Sequence, residues 1–436
     1  ENMIRRSLLS MALAGAVTAL AGLPPAFAED TTVRMWTFLN PAGTSPREVA
    51  LAQIIADYEK ANPGTKIVVE TQAWDQMTPK FLAAHNTGGA PDVIWVVTDF
   101  LGDAIKSGSL ADLHPLFIKD WTPEQVADRA GAYWDLTADG DKQYALFTSR
   151  NYISILYRAD LFAEAGIDPA SITTWDGLVE VAKKLTVKDA SGQVTRYGFA
   201  HGFSENQADP PLLIPYALGK GAALFDAAGK ANFASPEAVE GLTLQTDLIK
   251  KHGVMAENAV TWTTDDVYEQ FASDRAAMVM GASVRVSTMQ AKLGKEKVGL
   301  MLWPGGGSEP HSPAVMAGWA VGVWSKSPVA EKAGKFVEYM LGAEGDPVWV
   351  EVGGQSPGMV STLTKLGDFA RQPGNEFLNV VSEGSVKYGW LAPIEYSIGG
   401  YRQVLNKAAQ RVVVNGQDPK AALEEAATEF NRSHNR

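Results

Sequence analysis

A chain of 436 residues with 46% hydrophobic and 20% charged content holds enough apolar material for two or three packed domains of about 100–200 residues each, which excludes a disordered chain. Its 38 Lys and Arg against 50 Asp and Glu leave a formal charge of −12, so it lacks the surplus of basic residues that a nucleic-acid phosphate backbone demands. Cysteine is absent, which excludes disulfides, thiolate zinc sites, iron–sulfur clusters and cysteine nucleophiles together.

At the start of the chain, Arg5 and Arg6 precede an apolar run from Leu8 to Leu23, and Ala26-Phe27-Ala28 follows as a small-x-small pattern. The run falls short of the about 20 apolar residues that cross a bilayer. Residues 1–28 are therefore expected to be a secretory signal removed near Ala28. Its loss takes away Glu1, Arg5 and Arg6 and leaves the charge one unit more negative. With no Cys to carry a lipid anchor and no later membrane-spanning run, the mature protein is expected free in the periplasm.

A βαβ rhythm follows. Val33–Trp36 reads as a strand, Pro46–Lys60 as a helix, Lys66–Glu70 as a strand, Met77–His85 as a helix and Asp92–Val97 as a third strand. This alternation predicts a parallel sheet covered on both faces. Right-handed connections would bring the loops around Trp36–Asn40, Trp74–Gln76 and Thr98–Phe100 to one sheet edge, where ligands bind in open α/β sheets. Gln143–Phe147 and Ile153–Tyr157 read as strands flanking a crossing at 148–152 into a second lobe. There a helix Trp175–Leu185 capped at Thr174, a strand Tyr197–Ala200, helices Pro236–His252 and Asp265–Ala272, and a strand Ala276–Met280 are expected. Leu300–Trp303 and Trp319–Trp324 are predicted as strands returning to the first lobe, and the tail as helices at Asn375–Val386, Gly400–Val414 and Pro419–Phe430.

The reactive motifs fail one by one. Gly354-Gln355-Ser356-Pro357-Gly358 matches G-x-S-x-G, but an oxyanion hole there needs the N–H of the residue after Ser, and Pro357 has none. The six His show no i, i+4 pair and no H-E-x-x-H. Gly305-Gly306-Gly307 lacks the continuation of a dinucleotide or phosphate loop. Asp139-Gly140-Asp141 sits where a hairpin turn would and lacks the spacing of a calcium loop. Asp265-Asp266 and Glu424-Glu425 read as solvated helix faces rather than catalytic dyads. No catalytic residue, cofactor or metal is therefore expected.

Tryptophans remain. Trp36, Trp74, Trp303, Trp319 and Trp390 each sit beside a predicted strand end, turn or Gly. Any one of them is as readily a core residue. Several lining one cleft would stack on pyranose faces, with Asp, Asn, Arg and Gln reading the hydroxyls.

Four segments carry a resemblance over nearly the whole chain after the signal: Gly88-Gly89-Ala90-Pro91-Asp92-Val93, Thr174-Trp175-Asp176 running into Val181–Leu185, Phe271 through Gly281 with Asp274 where Gly is usual, and Ala317-Gly318-Trp319. In this order they resemble the family 1 extracellular solute-binding proteins of ABC importers, the maltose-binding type. The resemblance implies an α/β protein of the type II, two-lobed periplasmic binding fold, with hinged lobes and a ligand cleft between them. It places the lobes at 29–148 with 300–342, and at 149–299 with 343–436. It implies a carbohydrate ligand, ABC permease subunits as partners, and a monomer. As site residues it points to Trp36, Trp74 and Asp99 in first-lobe loops, Arg150 and Asn151 at the first crossing, and Gly281 with Ser283 at a second-lobe strand end. Trp303, Trp319, Gln355 and, more weakly, Trp390 and Tyr396 complete it. Arg150, His201 and Arg285 add positive or switchable groups, which raises an acidic or modified sugar against a neutral one; an Arg paired with a neighbouring carboxylate is the plainer explanation. Two rivals stay open: a periplasmic glycosidase or lyase, and the same fold holding a polyol, phosphodiester or peptide.

Overall fold

The computed structural model describes residues 30–129, 131–205, 209–393 and 400–434; the expected signal segment and Tyr396 lie outside them. Ten strands build two sheets: β1 (Thr31–Thr37), β2 (Thr65–Thr71), β3 (Val93–Val97), β4 (Leu146–Phe147), β5 (Asn151–Arg158), β6 (Met278–Ala282), β7 (Val298–Met301), β8 (Ala314–Ala317), β9 (Trp319–Val323) and β10 (Gly389–Trp390). The principal helices are α1 (Pro46–Ala61), α2 (Met77–Thr87), α3 (Thr98–Lys106), α4 (Trp175–Leu185), α5 (Pro236–Lys250), α6 (Thr264–Ala272), α7 (Val286–Leu293), α8 (Ala330–Leu341), α9 (Gly345–Glu351), α10 (Glu376–Lys387), α11 (Gly400–Asn415) and α12 (Pro419–Ser433).

Local chemistry explains their starts. Pro46 opens α1, and the Glu48 carboxylate accepts from the Ser45 N–H at 3.1 Å and its hydroxyl at 2.8 Å, a reciprocal cap that satisfies orphan donors. Thr174 accepts from the Gly177 N–H at the start of α4, and Asp418 does the same for Ala421 at α12. α2 stops at Gly88, whose φ of 79° closes the helix in the left-handed region.

The first sheet runs β2-β1-β3-β9-β4, with β1 parallel to β2 and β3, and β9 antiparallel to β3 and β4. Its central strand β3 is almost wholly buried, the mark of a strand covered on both faces. The second sheet runs β6-β5-β8-β10, and β7 also pairs with β5. Here β5 is antiparallel to β6, β7 and β8, so the parallel order expected of the first lobe does not extend to the second. The return path differs from the expectation. Leu300 and Met301 pair with Leu156 and Ile155 of β5, so that strand belongs to the second sheet. The chain returns only at Gly318, between β8 on one sheet and β9 on the other. Asp139-Gly140-Asp141 is a hairpin turn as expected, with Gly140 at φ 63°.

Each sheet has its own core. One is built around Val33, Phe81, Ile94, Trp95, Phe336 and Trp349, the other around Leu156, Phe162, Phe199, Phe233, Trp303 and Phe430. The two lobes are tied where the chain crosses. The Tyr133 hydroxyl reaches the carbonyls of Asn151 at 3.1 Å and Ala317 at 2.7 Å. Gln355 donates to the Thr148 carbonyl at 3.1 Å, and the Ser356 hydroxyl donates to the Arg150 carbonyl. Three crossing segments are thus fastened to one another rather than left as free linkers.

Candidate functional site

The facing sheet edges enclose a cavity of about 530 Å³. On the first lobe, the loop after β1 supplies Phe38 and Leu39, the first turn of α1 Arg47, and the loop after β2 Trp74. The direct passage of β3 into α3 supplies Thr98 and Asp99, and the start of β9 supplies Trp319. On the second lobe, Asn151 and Ile153 come from the start of β5, and Ala282, Val284 and Arg285 from the end of β6. Thr264, Asp265 and Tyr268 come from α6, Asp209 from a loop, and Arg402 from α11.

One wall is aromatic. The Phe38 and Trp319 rings lie 4.7 Å apart at 40°, and Phe38 is set edge-on to Trp95 at 5.8 Å. Trp319 and Trp74 are partly exposed, so each keeps surface turned to the cavity. The rest of the lining is rich in charge. Arg402 grips Asp99 with two nitrogens, at 3.2 and 3.3 Å, and also donates to the Tyr401 hydroxyl at 3.0 Å. At Asp99 desolvation outweighs the attraction of Arg402 and pushes the carboxyl up. Burial works against the Arg402 charge, but Asp99 and Tyr401 hold it above its ordinary range. Arg285 meets Asp265 at 3.1 Å and lies 5.0 Å from the Tyr268 ring centre. The Tyr268 hydroxyl accepts from the Ala282 N–H at 2.7 Å.

Two groups stand apart. Asp209 is 6% exposed and burial lifts its carboxyl to about 6, against Arg402, Arg285 and a hydrogen bond with Thr264; its Oδ2 has no partner among the described residues. Arg47 lies over Phe38 at 5.2 Å from the ring centre. Its side chain stays reachable from the cavity, yet protein surrounds it closely enough that burial, then the charge of Arg285, push it down to about 9.

Of the residues expected from sequence, the structure brings Trp74, Asp99, Asn151 and Trp319 to the cavity. Trp36 lies inside β1, not at its end. It sits opposite Glu70 of β2 and donates its Nε1–H to that carboxylate at 2.7 Å. Trp303 is fully buried, stacked on Trp175 at 5.6 Å and donating to the Ile153 carbonyl at 2.9 Å. His201 is buried with neither ring nitrogen partnered, and desolvation drops its pKa to about 3, so it is neutral. Trp390 pairs in β10 beside Val315, away from the cavity lining. Arg150 is held instead among Tyr133, Asp346 and Asp128, where desolvation lowers its pKa.

Three further residues shape the site from behind. Ser283 donates to Asn151 Oδ1 at 3.0 Å and accepts from the Tyr152 N–H at 3.0 Å, which orients the Asn151 amide. A Cβ on Gly281 would lie 2.6 Å from the Tyr268 hydroxyl, so that glycine lets the phenol reach the Ala282 N–H. Gln355 serves the crossing described above. Phe38 and Thr98 fall in loops expected at the ligand edge, though neither was singled out; Arg47, Asp209, Tyr268 and Arg402 were not anticipated. A signal existed for Arg47: it follows the Ser45-Pro46 cap of the helix leaving β1, and a right-handed crossover starts such a helix at the ligand edge.

Two lobes with separate cores, facing across a polar and aromatic cavity, define a solute-binding protein. The chain belongs to the family described as bacterial extracellular solute-binding proteins, matched over residues 42–347. It is similar to YcjN of Escherichia coli (strain K12), assigned by name to the periplasmic-binding components of ABC transporters, with 23% identity over 337 residues, 75% of this chain and 73% of that one. Its fold matches the ABC substrate-binding protein Lmo0181 of Listeria monocytogenes, with a TM-score of 0.78 at 22% identity over 93% of this chain and 100% of that one. An ABC transporter solute-binding protein of Thermotoga lettingae TMO matches with a TM-score of 0.79 at 23% identity, over 92% and 99%. These are binding proteins. Among the described residues no group of three or more His, Asp or Glu could hold a metal, and no helix is long and apolar enough to cross a membrane.

Proposed function

We propose that this protein is the substrate-binding component of an ABC importer that captures a carbohydrate in the interlobe cavity and hands it to membrane permease subunits. The observation that carries this is the cavity's composition: the rings of Phe38, Trp74 and Trp319 line it together with Asn, Asp and Arg side chains. Flat rings suit the C–H faces of a sugar, and charged hydrogen-bonding groups suit its hydroxyls. The Listeria structure holds cycloalternan and the Thermotoga one α-D-tagatose, which supports a sugar over a peptide or phosphodiester. Trp74, Asp99, Asn151 and Trp319 keep their proposed role, joined by Arg47, Asp209, Tyr268 and Arg402.

The moving units in this reading are residues 30–148 with 319–351, and 151–317 with 360–434. They open at the three crossings, and the ligand's greater affinity for the closed form draws them together. Export through a signal cleaved near Ala28, a periplasmic location and a monomeric state belong to the same proposal, supported by the extracellular family and the apolar run after Arg6. No turnover is expected: Ser356, the one nucleophile in an enzyme-like motif, spends its hydroxyl on the Arg150 carbonyl.

The test is calorimetry of the purified protein against a panel of mono- and oligosaccharides, with chromatography of the mixtures and small-angle scattering. Saturable binding, unchanged sugar and a smaller radius of gyration are expected. Released product would replace this reading with an enzyme.

A further inference from the structure

The charges in the cavity do not cancel in pairs, and the remainder describes a ligand. Arg402 is taken by Asp99, and Arg285 by Asp265. Glu48 is committed to the Ser45 cap and to the Asn40 N–H at 3.2 Å. Arg47 is left: its guanidinium has the Phe38 ring beneath it, and among the described residues no carboxylate stands at ion-pair distance, Glu48 acting on it only from farther away. Two buried oxygens in the same cavity are left as well, Asp209 Oδ2 and Thr98 Oγ1, which no described residue satisfies.

An enclosed guanidinium without an acceptor is costly, and so is an enclosed carboxylate oxygen without a donor. Arg47 comes from the first lobe and Arg285 from the second, so closing the lobes brings like charges towards one another. That repulsion turns into attraction only when an anion sits between them. Three Arg and four carboxyl groups line the cavity, so no net positive charge is left over; what stands unpaired is the single Arg47 guanidinium, which suits one carboxylate better than a phosphate dianion. The carboxylate also matches the planar fork of a guanidinium.

We propose that the ligand is an acidic sugar, its carboxylate held by Arg47 with Arg285 beyond it, and its hydroxyls donating to Asp209 and Thr98. This rests on the carbohydrate reading given above and narrows it. Arg150 and His201, which suggested an acidic sugar from the sequence, play no part in it, since neither lines the cavity. The cation that carries the argument is Arg47.

The experiment is calorimetry at neutral pH with D-glucuronate, D-galacturonate and their short oligomers, each beside its neutral parent sugar. Proteins compared are wild type, Arg47→Met, Arg47→Lys and Asp209→Asn, with thermal unfolding as the check on folding. Wild type is expected to bind one acid about tenfold or more tighter than its neutral parent. Arg47→Met should cost the acid at least about tenfold more than it costs the neutral parent, erasing the preference, and Arg47→Lys should keep part of it. Asp209→Asn should weaken acid and neutral forms alike. Equal affinity for acid and neutral sugars in wild type overturns the acidic-ligand inference and leaves the carbohydrate reading standing. So does an equal loss for both in Arg47→Met. Failure of every sugar, acidic and neutral, overturns both.

Discussion

The Asp99–Arg402 pair joins the lobes through the cavity itself, because Asp99 rides on α3 of the first lobe and Arg402 on α11 of the second. At 3.2 Å the Coulomb attraction is about 5 kcal/mol with an effective dielectric of about 20. Desolvation of both groups consumes part of it, as the raised Asp99 carboxyl records. Asp99→Asn strands the Arg402 guanidinium, a kind of change that costs about 2–5 kcal/mol when the partner is buried. Tyr401 and Asp209 still stabilise that cation, which points to the low end, about 2 kcal/mol, or roughly 30-fold in the affinity of a ligand that needs closure. Arg402→Met should cost less, since the stranded carboxylate can take up a proton. The double variant Asp99→Asn/Arg402→Met removes both charges and should recover part of the loss. Calorimetry with whichever sugar binds wild type gives the three affinities, and small-angle scattering gives the fraction closed. A coupling of about 1.5 kcal/mol or more is expected. Single effects that add to within about 0.5 kcal/mol would refute the claim that this pair favours the closed form.

Three further changes test the physical account. Asp209 has its carboxyl raised to about 6, so the folded state binds the proton more tightly than the unfolded one; its contribution is intact below about pH 4 and lost as pH rises through 6, about 2–3 kcal/mol in all. Asp209→Asn should therefore raise the melting temperature at pH 7.5, with the gain shrinking towards pH 4.5, and a pH-independent difference would contradict this. His201 has its pKa lowered to about 3, the opposite sign: the folded protein loses stability as pH falls below about 6.5. His201→Phe should flatten the melting-temperature profile between pH 6.5 and 4. Gly318, at φ 147° between the two sheets, has room for a methyl, the nearest atom being 3.6 Å from an added Cβ; Gly318→Ala should thus cost about 1–3 kcal/mol through backbone strain alone, measured by urea unfolding.

The first sheet was legible because β1, α1, β2, α2 and β3 announced themselves by period and cap, and the ligand edge then followed from the handedness of the connections; α3 did not, since it starts at Thr98, where a loop was expected. Trp74 and Asp99 were found that way, since each lies in the residues just past a strand. Trp36 fails by one residue: β1 runs on to Thr37, which turns that indole onto Glu70 and makes Phe38 the first ring to leave the sheet. The antiparallel second sheet was harder to read because β7 and β8 reach β5 from about 140 and about 165 residues further along the chain, and no local pattern encodes that pairing. Arg402 and Asp209 escaped for the same reason. One lies within an otherwise amphipathic helix and the other before a pair of prolines, and only the closed chain brings both to Asp99 and Arg285.

Several residues expected to read the ligand hydrogen-bond to, or make room for, neighbours in the cavity lining and the crossings, and their chemistry explains the expectation. A hydroxyl or amide in a Gly-rich turn at the lobe boundary has the composition of a sugar contact, and also that of a crossing that must satisfy backbone groups while bending. Ser283 fixes Asn151, Gly281 admits Tyr268, and Gln355 and Ser356 pin the first crossing to the third. The Gln355 and Ser356 bonds reach carbonyls of Thr148 and Arg150, on another crossing segment. The hydrogen bonds from Tyr133 to Asn151 and Ala317 join the first crossing to the second at the same level. A motion that opened the cavity while keeping these bonds would have to pivot about this cluster. Asp99 and Arg402 stand on opposite lobes and make none of these crossing bonds, so in the proposed motion an ion pair between them sets the closing equilibrium without being one of the hinge's own contacts.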